Sequence, residues 1–162
     1  MQPVSTVTAR RTGHAIGYLA LGLLVEASDE LEAIEGPDRL SPEVMRVRCD
    51  LYLMAKDWEL LLAVARELTR SRPSDEKGWI HAGIALRKLD RVAEARAVLF
   101  EAEAIHGACA FLHYNLGCYC CLLGEMDAAR ERVRRACRLD KDFKTTALDD
   151  PDLKAIWGDV AS

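Results

Sequence analysis

Three cysteines lie close together in the stretch YNLGCYCCLLGE, at positions 118, 120 and 121. Thiolates bind zinc and carry out redox reactions, so this cluster is where chemistry is first to be sought. On a helix, Cys118 and Cys121 share a face, whereas Cys120 points elsewhere. A closed zinc site needs four ligands, and one such pair, even with His113 or His81 as a third ligand, is a weak signal. The alternative is that the cysteines are reduced and act as small apolar residues of a buried helix.

The rest of the chain has no recognisable catalytic motif. No phosphate loop, GxSxG elbow or HExxH sequence occurs. No nucleophile, base and orienting group converge at a recognisable spacing. We therefore predict that the protein is not an enzyme and that it carries no cofactor and no metal.

Composition favours a single helical domain. The chain has 162 residues, of which 50% are apolar and only 6% aromatic. Alanine, leucine, glutamate and arginine are abundant, and straight-chain residues lose little rotamer freedom in a helix. The net charge of -4 gives no global basicity for nucleic-acid binding. The six cysteines are most simply reduced thiols, so a cytoplasmic location is expected.

Similar residues recur every 34 positions along the chain. Small residues recur at Ala15, Cys49, Gly83 and Gly117, and bulky or apolar residues recur at Tyr18, Tyr52, Leu86 and Cys120. The period defines four windows without insertion: 8–41, 42–75, 76–109 and 110–143. Each window has the pattern of two helices, and in the last window Gly124 provides the turn between them, where glycine tolerates positive φ.

The four windows resemble the tetratricopeptide repeat (TPR). The window 110–143 matches it best, through Leu116-Gly117, Gly124, Ala129 and Ala136. The resemblance implies an all-α fold: a TPR-like α-solenoid, a right-handed superhelix of helix-turn-helix repeats.

Both ends of the chain lie outside the repeats. Residues 1–7 are predicted to be an N-terminal tail, and 144–162 a C-terminal capping helix with its tail. An aspartate at 149 or 150 caps this helix and Pro151 begins it. Its apolar face, which comprises Leu153, Ile156 and Trp157, covers the exposed core of the last repeat.

The apolar run AIGYLALGLLV at 15–25 follows two arginines, as in a secretory signal peptide. It is too short to span a membrane. Because Ala15, Tyr18 and Ala27 fall on repeat positions, the first hairpin explains the run better.

In TPR proteins the first helix of each hairpin lines a concave groove that binds partners. Those positions include Ile16, Leu19, Arg46, Asp50, Leu53, Lys77, Ile80, Ile84, Arg87, Phe111, Tyr114, Cys118 and Cys121, with Asn115 beside them. Apolar anchors with a polar flank suit a peptide or a helix of a partner protein. The candidate contacts are Ile80, Ile84, Arg87, Phe111, Tyr114, Asn115 and Cys118. The alternative for each of them is burial against a neighbouring repeat or the C-terminal helix.

Charge is distributed unevenly along the chain. Residues 26–59 hold ten acids and four bases, whereas residues 130–144 hold seven bases and three acids. Solvated helix faces are the usual explanation. Head-to-tail attraction of the two ends would instead give salt-sensitive self-association. A second alternative is that the basic end contacts RNA or DNA, but no aromatic-basic interleaving or known nucleic-acid module accompanies it.

These observations together predict a non-catalytic adaptor or scaffold that binds a protein partner in the groove, with no nucleic acid and no membrane involved. One alternative is a small TPR chaperone or regulator of a secretion-type system. A metal or redox protein is a third possibility, and it depends on Cys118 and Cys121 alone.

Overall fold

The computed structural model describes residues 4–161. Over this range the chain forms ten α-helices and two 3₁₀ helices, and no strand. The α-helices are α1 (Thr6–Ala20), α2 (Leu24–Glu32), α3 (Pro42–Ala55), α4 (Trp58–Ser71), α5 (Glu76–Lys88), α6 (Val92–His106), α7 (Ala110–Leu122), α8 (Met126–Leu139), α9 (Asp142–Asp149) and α10 (Trp157–Ala161). The 3₁₀ helices are Gly36–Leu40 and Pro151–Ile156. No helix among the described residues has the length and apolarity needed to cross a bilayer.

The chain divides into two compact units. The first ends at His81 and the second begins at Ala82, so the division falls within α5. In the first unit α1 packs on α2, both pack on α3, and α3 packs on α4. In the second unit α7 packs on α6 and α8, and the C-terminal helices pack on α7 and α8.

The turn inside each hairpin has the same backbone conformation in all four cases. One residue per turn has a positive φ, and these residues are spaced 34 apart: Gly22 (74°), Lys56 (57°), Asp90 (61°) and Gly124 (81°). Each donates its N–H to the carbonyl three residues earlier, at 3.0 to 3.2 Å. The next residue donates to the carbonyl five residues earlier, at 2.8 to 2.9 Å. This paired motif satisfies the last carbonyls of the helix, so the sequence period is also a period of the backbone.

Seven residues before each of these turns lies the small residue of the repeat. Ala15 and Cys49 are fully buried. A Cβ atom added to Gly117 would lie 2.7 Å from Val133 Cγ2, and one added to Gly83 would lie 3.2 Å from Leu99 Cγ. In the second unit the two helices of a hairpin therefore approach so closely that a Cβ at Gly117 would clash and one at Gly83 would be crowded.

Apolar side chains at helical spacing fill the interior of each unit. One core cluster of the first unit comprises Ala15, Leu19, Ala27, Leu31, Ile34, Val44, Val47 and Leu51. In the second unit the fully buried large side chains are Leu86, Leu99, Leu112, Leu116, Tyr119, Leu153 and Ile156. Two of these, Leu153 and Ile156, come from the predicted capping region.

The C-terminal region differs in detail from the single capping helix expected for 144–162. It contains α9, the 3₁₀ helix Pro151–Ile156 and α10. The break occurs at Asp150, which is extended (ψ 115°) and caps the 3₁₀ helix by accepting from Asp152 N. Pro151 has no N–H and forces this break because the residue before proline avoids the helical region.

At the N-terminus, α1 begins at Thr6, inside the tail expected for 1–7. Ser5 caps it by accepting a hydrogen bond from Thr8 N at 3.1 Å. Residues 1–3 and Ser162 lie outside the described residues.

His113 is fully buried in the second unit and is hydrogen-bonded at both ring nitrogens. Nε2 donates to the Gly107 carbonyl at 2.9 Å, and Nδ1 accepts from Arg132 Nη1 at 3.2 Å. These contacts fit a neutral imidazole. Burial lowers the pKa of His113, the nearby Arg135 and Arg132 lower it further, and the Gly107 bond and Glu103 oppose the shift. In the first unit, burial likewise lowers the pKa of His81.

We predict that the free energy of unfolding decreases as pH falls below the ordinary histidine pKa of about 6.5. In this pH range the histidines are protonated in the unfolded chain but stay neutral in the folded chain. The difference lowers the free energy of unfolding by up to about 1.4 kcal/mol per buried histidine at pH 5.5. The pKa of Glu103 is lowered from 4.5 mainly by its bond to Arg132, so protonation of Glu103 affects stability only below this pH range. Urea unfolding of wild type and His113→Gln between pH 7.5 and 5.5 measures the effect. The difference between the two proteins should shrink as pH falls, and parallel curves would contradict the assignment.

The turn motif predicts opposite effects for two substitutions at the same repeat position. Lys56→Gly should stabilise the protein by about 0.5–1 kcal/mol, because an L residue in the left-handed region is strained by roughly 1–2 kcal/mol. Gly124→Ala should destabilise it by a similar amount. Thermal and urea unfolding check both, and a loss of stability in Lys56→Gly would show that the turn does not require this conformation.

Candidate partner-binding surfaces

The seven predicted groove contacts lie in different surroundings. Ile80 is buried in the first unit, and Ile84 and Arg87 are half-buried in the second. On α7, Tyr114, Asn115 and Cys118 are buried, whereas Phe111 is 40% exposed. Burial on α7 has a specific cause, because the chain's own C-terminal residues lie against this helix. We refer to residues 142–159 as the C-terminal arm.

The arm is anchored by an ion pair with Arg87. Arg87 Nε donates to Asp152 Oδ2 at 2.9 Å and Nη2 donates to Oδ1 at 2.7 Å. The pairing raises the pKa of Arg87. Bidentate geometry of this kind is directional, and hydrogen bonds to charged groups contribute about 1.5–3 kcal/mol each.

Asp150 is the second anchor of the arm. Its carboxylate accepts hydrogen bonds from the Tyr114 hydroxyl and from Cys118 Sγ, the latter at 3.6 Å. Burial raises the pKa of Tyr114, and the bond to Asp150 raises it further. One carboxylate therefore engages two of the predicted partner contacts.

Aromatic and aliphatic packing complete the seat of the arm. The Phe143 ring lies 4.9 Å from the Tyr114 ring and 5.9 Å from the Phe111 ring, measured between centroids. Leu153 and Ile156 have no exposed surface. Burying two such side chains contributes about 1.5–3 kcal/mol each, so apolar contact and the bonds to the two carboxylates hold the arm to a comparable degree.

Asn115 is used inside its own helix. Its Nδ2 donates to the Phe111 carbonyl at 2.8 Å, and its Oδ1 accepts from the Tyr119 hydroxyl at 3.4 Å. Both hydrogen-bonding ends of the amide are thus engaged within α7. This arrangement orients Tyr119 rather than presenting the amide to a ligand.

The three clustered cysteines are all buried. Burial raises the pKa of Cys118, Cys120 and Cys121, and the nearby Asp150 and Asp152 carboxylates raise that of Cys118 further. A raised pKa disfavours the thiolate that metal binding and redox chemistry require. No group of three or more His, Cys, Asp and Glu residues with metal-binding geometry occurs in the described part of the chain. These surroundings favour the interpretation of the cysteines as small apolar residues.

The first unit presents an open wall formed by α1 and α3. A hollow of about 290 Å³ there is lined by Ile16, Leu19, Ala20, Asp50, Leu53 and Met54. Ile16 is 53% exposed and Met54 45% exposed. Four of the lining residues, Ile16, Leu19, Asp50 and Leu53, are at positions that the repeat pattern assigns to the groove. The structure places these four side chains around one hollow.

Asp50 at the edge of this hollow is already paired. It accepts from Lys77 Nζ at 2.7 Å, and His81 Nε2 lies 3.9 Å away. His81 Nδ1 lies 2.7 Å from the Lys77 carbonyl, which favours a proton on Nδ1. The rim of the hollow therefore carries a polar network, while its floor is apolar.

Sequence reasoning missed how the arm is seated. It expected a cap on the last repeat, but it did not expect Asp150 and Asp152 to contact Tyr114, Cys118 and Arg87. The available signal was limited to an Asp-Pro-Asp-Leu stretch in the expected capping region and an arginine at a groove position.

Comparison with known proteins gives structural but no sequence matches. No family model and no curated protein matches the sequence. A thermophilic TPR protein from Thermus thermophilus has a TM-score of 0.70 at 20% identity, covering 95% of this chain and 98% of that chain. PilW, a widely conserved type IV pilus biogenesis factor, has a TM-score of 0.80 at 19% identity, covering 96% and 72%. MamA (AMB-1) has a TM-score of 0.70 at 14% identity, covering 95% and 82%.

These structures confirm the predicted fold class, an all-α TPR-like α-solenoid. The turns at Gly22, Lys56, Asp90 and Gly124 of this chain, which recur every 34 residues, agree with this fold class. At these levels of identity the likeness concerns the fold. The chain therefore has the fold of the tetratricopeptide repeat proteins.

Proposed function

We propose that the protein is a non-catalytic interaction module that binds a segment of a partner protein on the wall formed by α1 and α3. One observation carries the proposal. The half-exposed side chains of Ile16 and Met54 border a hollow of about 290 Å³, which Leu19, Ala20 and Leu53 also line. Contiguous exposed apolar surface on a folded protein marks sites of protein–protein interaction or ligand binding.

The lining of the hollow specifies the chemistry of the partner segment. Ile16, Leu53 and Met54 offer contact to apolar anchors, and the thioether of methionine adapts to different shapes. Asp50 places a carboxylate on the rim, where Lys77 shares it. The proposed occupant is a helix or extended segment with apolar anchors and a neighbouring basic residue.

Fold similarity supports this class of function. The TPR fold is shared with PilW, which is a pilus biogenesis factor, and an assembly role of that kind depends on protein contacts. The alternative predicted from the sequence, a chaperone or regulator of a secretion-type system, uses the same kind of wall. Co-expression separates the two: a chaperone's client becomes insoluble without this chain, whereas an adaptor's partner stays soluble.

The remaining expectations about partners are also proposals: a cytoplasmic location, no nucleic acid, no membrane and salt-sensitive self-association. Several of the charged residues on which the expected self-association depends form ion pairs within their own unit. Glu30 pairs with Arg11, and Arg132 pairs with Glu103. Light scattering at low and high salt measures self-association, and a mass independent of salt rejects it.

We predict that Ile16→Asp combined with Met54→Asp weakens capture of the partner at least tenfold. Both side chains are about half exposed, so the substitutions place charge on the wall with little effect on folding. The measurement is cross-linked affinity capture from the native cells, quantified against wild type, with circular dichroism confirming that the variant is folded.

The chain offers a matched control for this experiment. Ile105 on α6 is 54% exposed and Leu139 on α8 is 46% exposed, and neither lines the hollow. Ile105→Asp combined with Leu139→Asp should retain the partner. Equal retention by both double variants would contradict a site on α1 and α3.

A further inference from the structure

The seat of the C-terminal arm has the features of a recognition site. Its apolar floor is combined with two separate carboxylate-binding positions: Arg87 for Asp152, and Tyr114 with Cys118 for Asp150. A cap that only shields apolar surface needs no such positions. Arg87 and Asp152 are each about a quarter exposed, so their pair lies within reach of a competing ligand.

The contacting part of the arm is a short, self-organised element. Asp150 Oδ1 accepts from Asp152 N at 2.9 Å, and Trp157 Nε1 donates to the Asp150 carbonyl at 3.1 Å. Pro151 begins the 3₁₀ helix, which ends at Ile156. Because these bonds lie within residues 150–157, a peptide of this length carries the information for its own conformation.

Open space adjoins the two anchors. A cavity of about 610 Å³ is bordered by Tyr114, Thr145, Thr146, Asp150 and Asp152, among others. An incoming chain can therefore approach the anchored carboxylates from this side before the apolar residues of the arm leave their seat. Displacement can start at the polar anchors, without exposing the whole apolar floor in one step.

We propose that the wall formed by Arg87, Tyr114 and Cys118 is a second binding site, which recognises acidic segments of the pattern Asp-x-Asp-Leu-x-x-Ile, and that the chain's own arm occupies it until a partner carrying this pattern displaces it. Charge complementarity supports this occupant, because the arm itself supplies the matching carboxylates and apolar residues. A tethered ligand competes at an effective concentration in the millimolar range for short linkers, so the site is closed to weak binders. The hollow on α1 and α3 plays no part in this site.

The probe for this proposal is a fluorescein-labelled synthetic peptide with the sequence of residues 147–159, ALDDPDLKAIWGD. Its binding to full-length protein is measured by fluorescence anisotropy. The receptor is wild type or the double variant Asp150→Asn, Asp152→Asn, whose own arm is weakened. Asparagine caps a helix as well as aspartate does, so the variant keeps the local conformation of the arm.

The probe should bind the double variant at least tenfold more tightly than it binds wild type. Adding Arg87→Ala to the double variant should reverse this gain, and a probe with asparagine in place of Asp150 and Asp152 should bind at least tenfold more weakly. Ile16→Asp should leave probe binding unchanged, which separates this site from the one proposed on α1 and α3. If the double variant fails to fold by circular dichroism, Asp152→Asn alone is used in its place.

Three outcomes overturn the proposal. The first is that the probe binds neither receptor, which makes the arm a permanent part of the core. The second is that Arg87→Ala leaves probe binding intact. The third is that the double variant forms concentration-dependent dimers that the probe does not dissociate. In that case the arm of a second copy, and not a partner protein, binds to the wall.

Discussion

The architecture depends on one backbone constraint, a left-handed residue at the turn of every hairpin. At Gly22, Lys56, Asp90 and Gly124 the chain reverses, and two hydrogen bonds satisfy the last carbonyls of the helix that ends there. The turn fixes where the second helix begins and hence which side chains face the first. Close approach at the small residue seven positions earlier follows from this geometry.

The repeats leave two walls in different states. On α1 and α3 apolar side chains are exposed around a hollow, whereas on α7 the chain covers the equivalent surface with its own arm. Arg87 and Tyr114 are engaged by Asp152 and Asp150, so part of the predicted groove binds a segment of the same chain. The two walls are thus candidates for different kinds of binding. A partner segment would bind directly to the wall on α1 and α3, whereas on α7 it would first have to displace the C-terminal arm.

The fold could be predicted from the sequence because it depends on local features with a fixed period. Gly124 indicates the turn, and the small residues Gly83 and Gly117 indicate the close contact between helices. The arm's seat could not be predicted in the same way. It requires Asp150 to reach Tyr114, 36 residues earlier, and Asp152 to reach Arg87, 65 residues earlier. Helical periodicity carries no information on such distant pairs, and nothing in the pattern distinguishes a residue that faces solvent from one that faces the arm.

Residue-resolved hydrogen exchange of the wild-type chain tests the central claim, that the arm is a separable element seated on a preformed wall, most directly. The amide of Leu153 donates to the Asp150 carbonyl at 3.0 Å, whereas the amide of Leu116 lies within α7. Local opening of the arm requires Leu153 to exchange at a lower free energy than Leu116, which opens with the core of its unit. Exchange of both amides at the same free energy, with the same dependence on denaturant, would contradict the account.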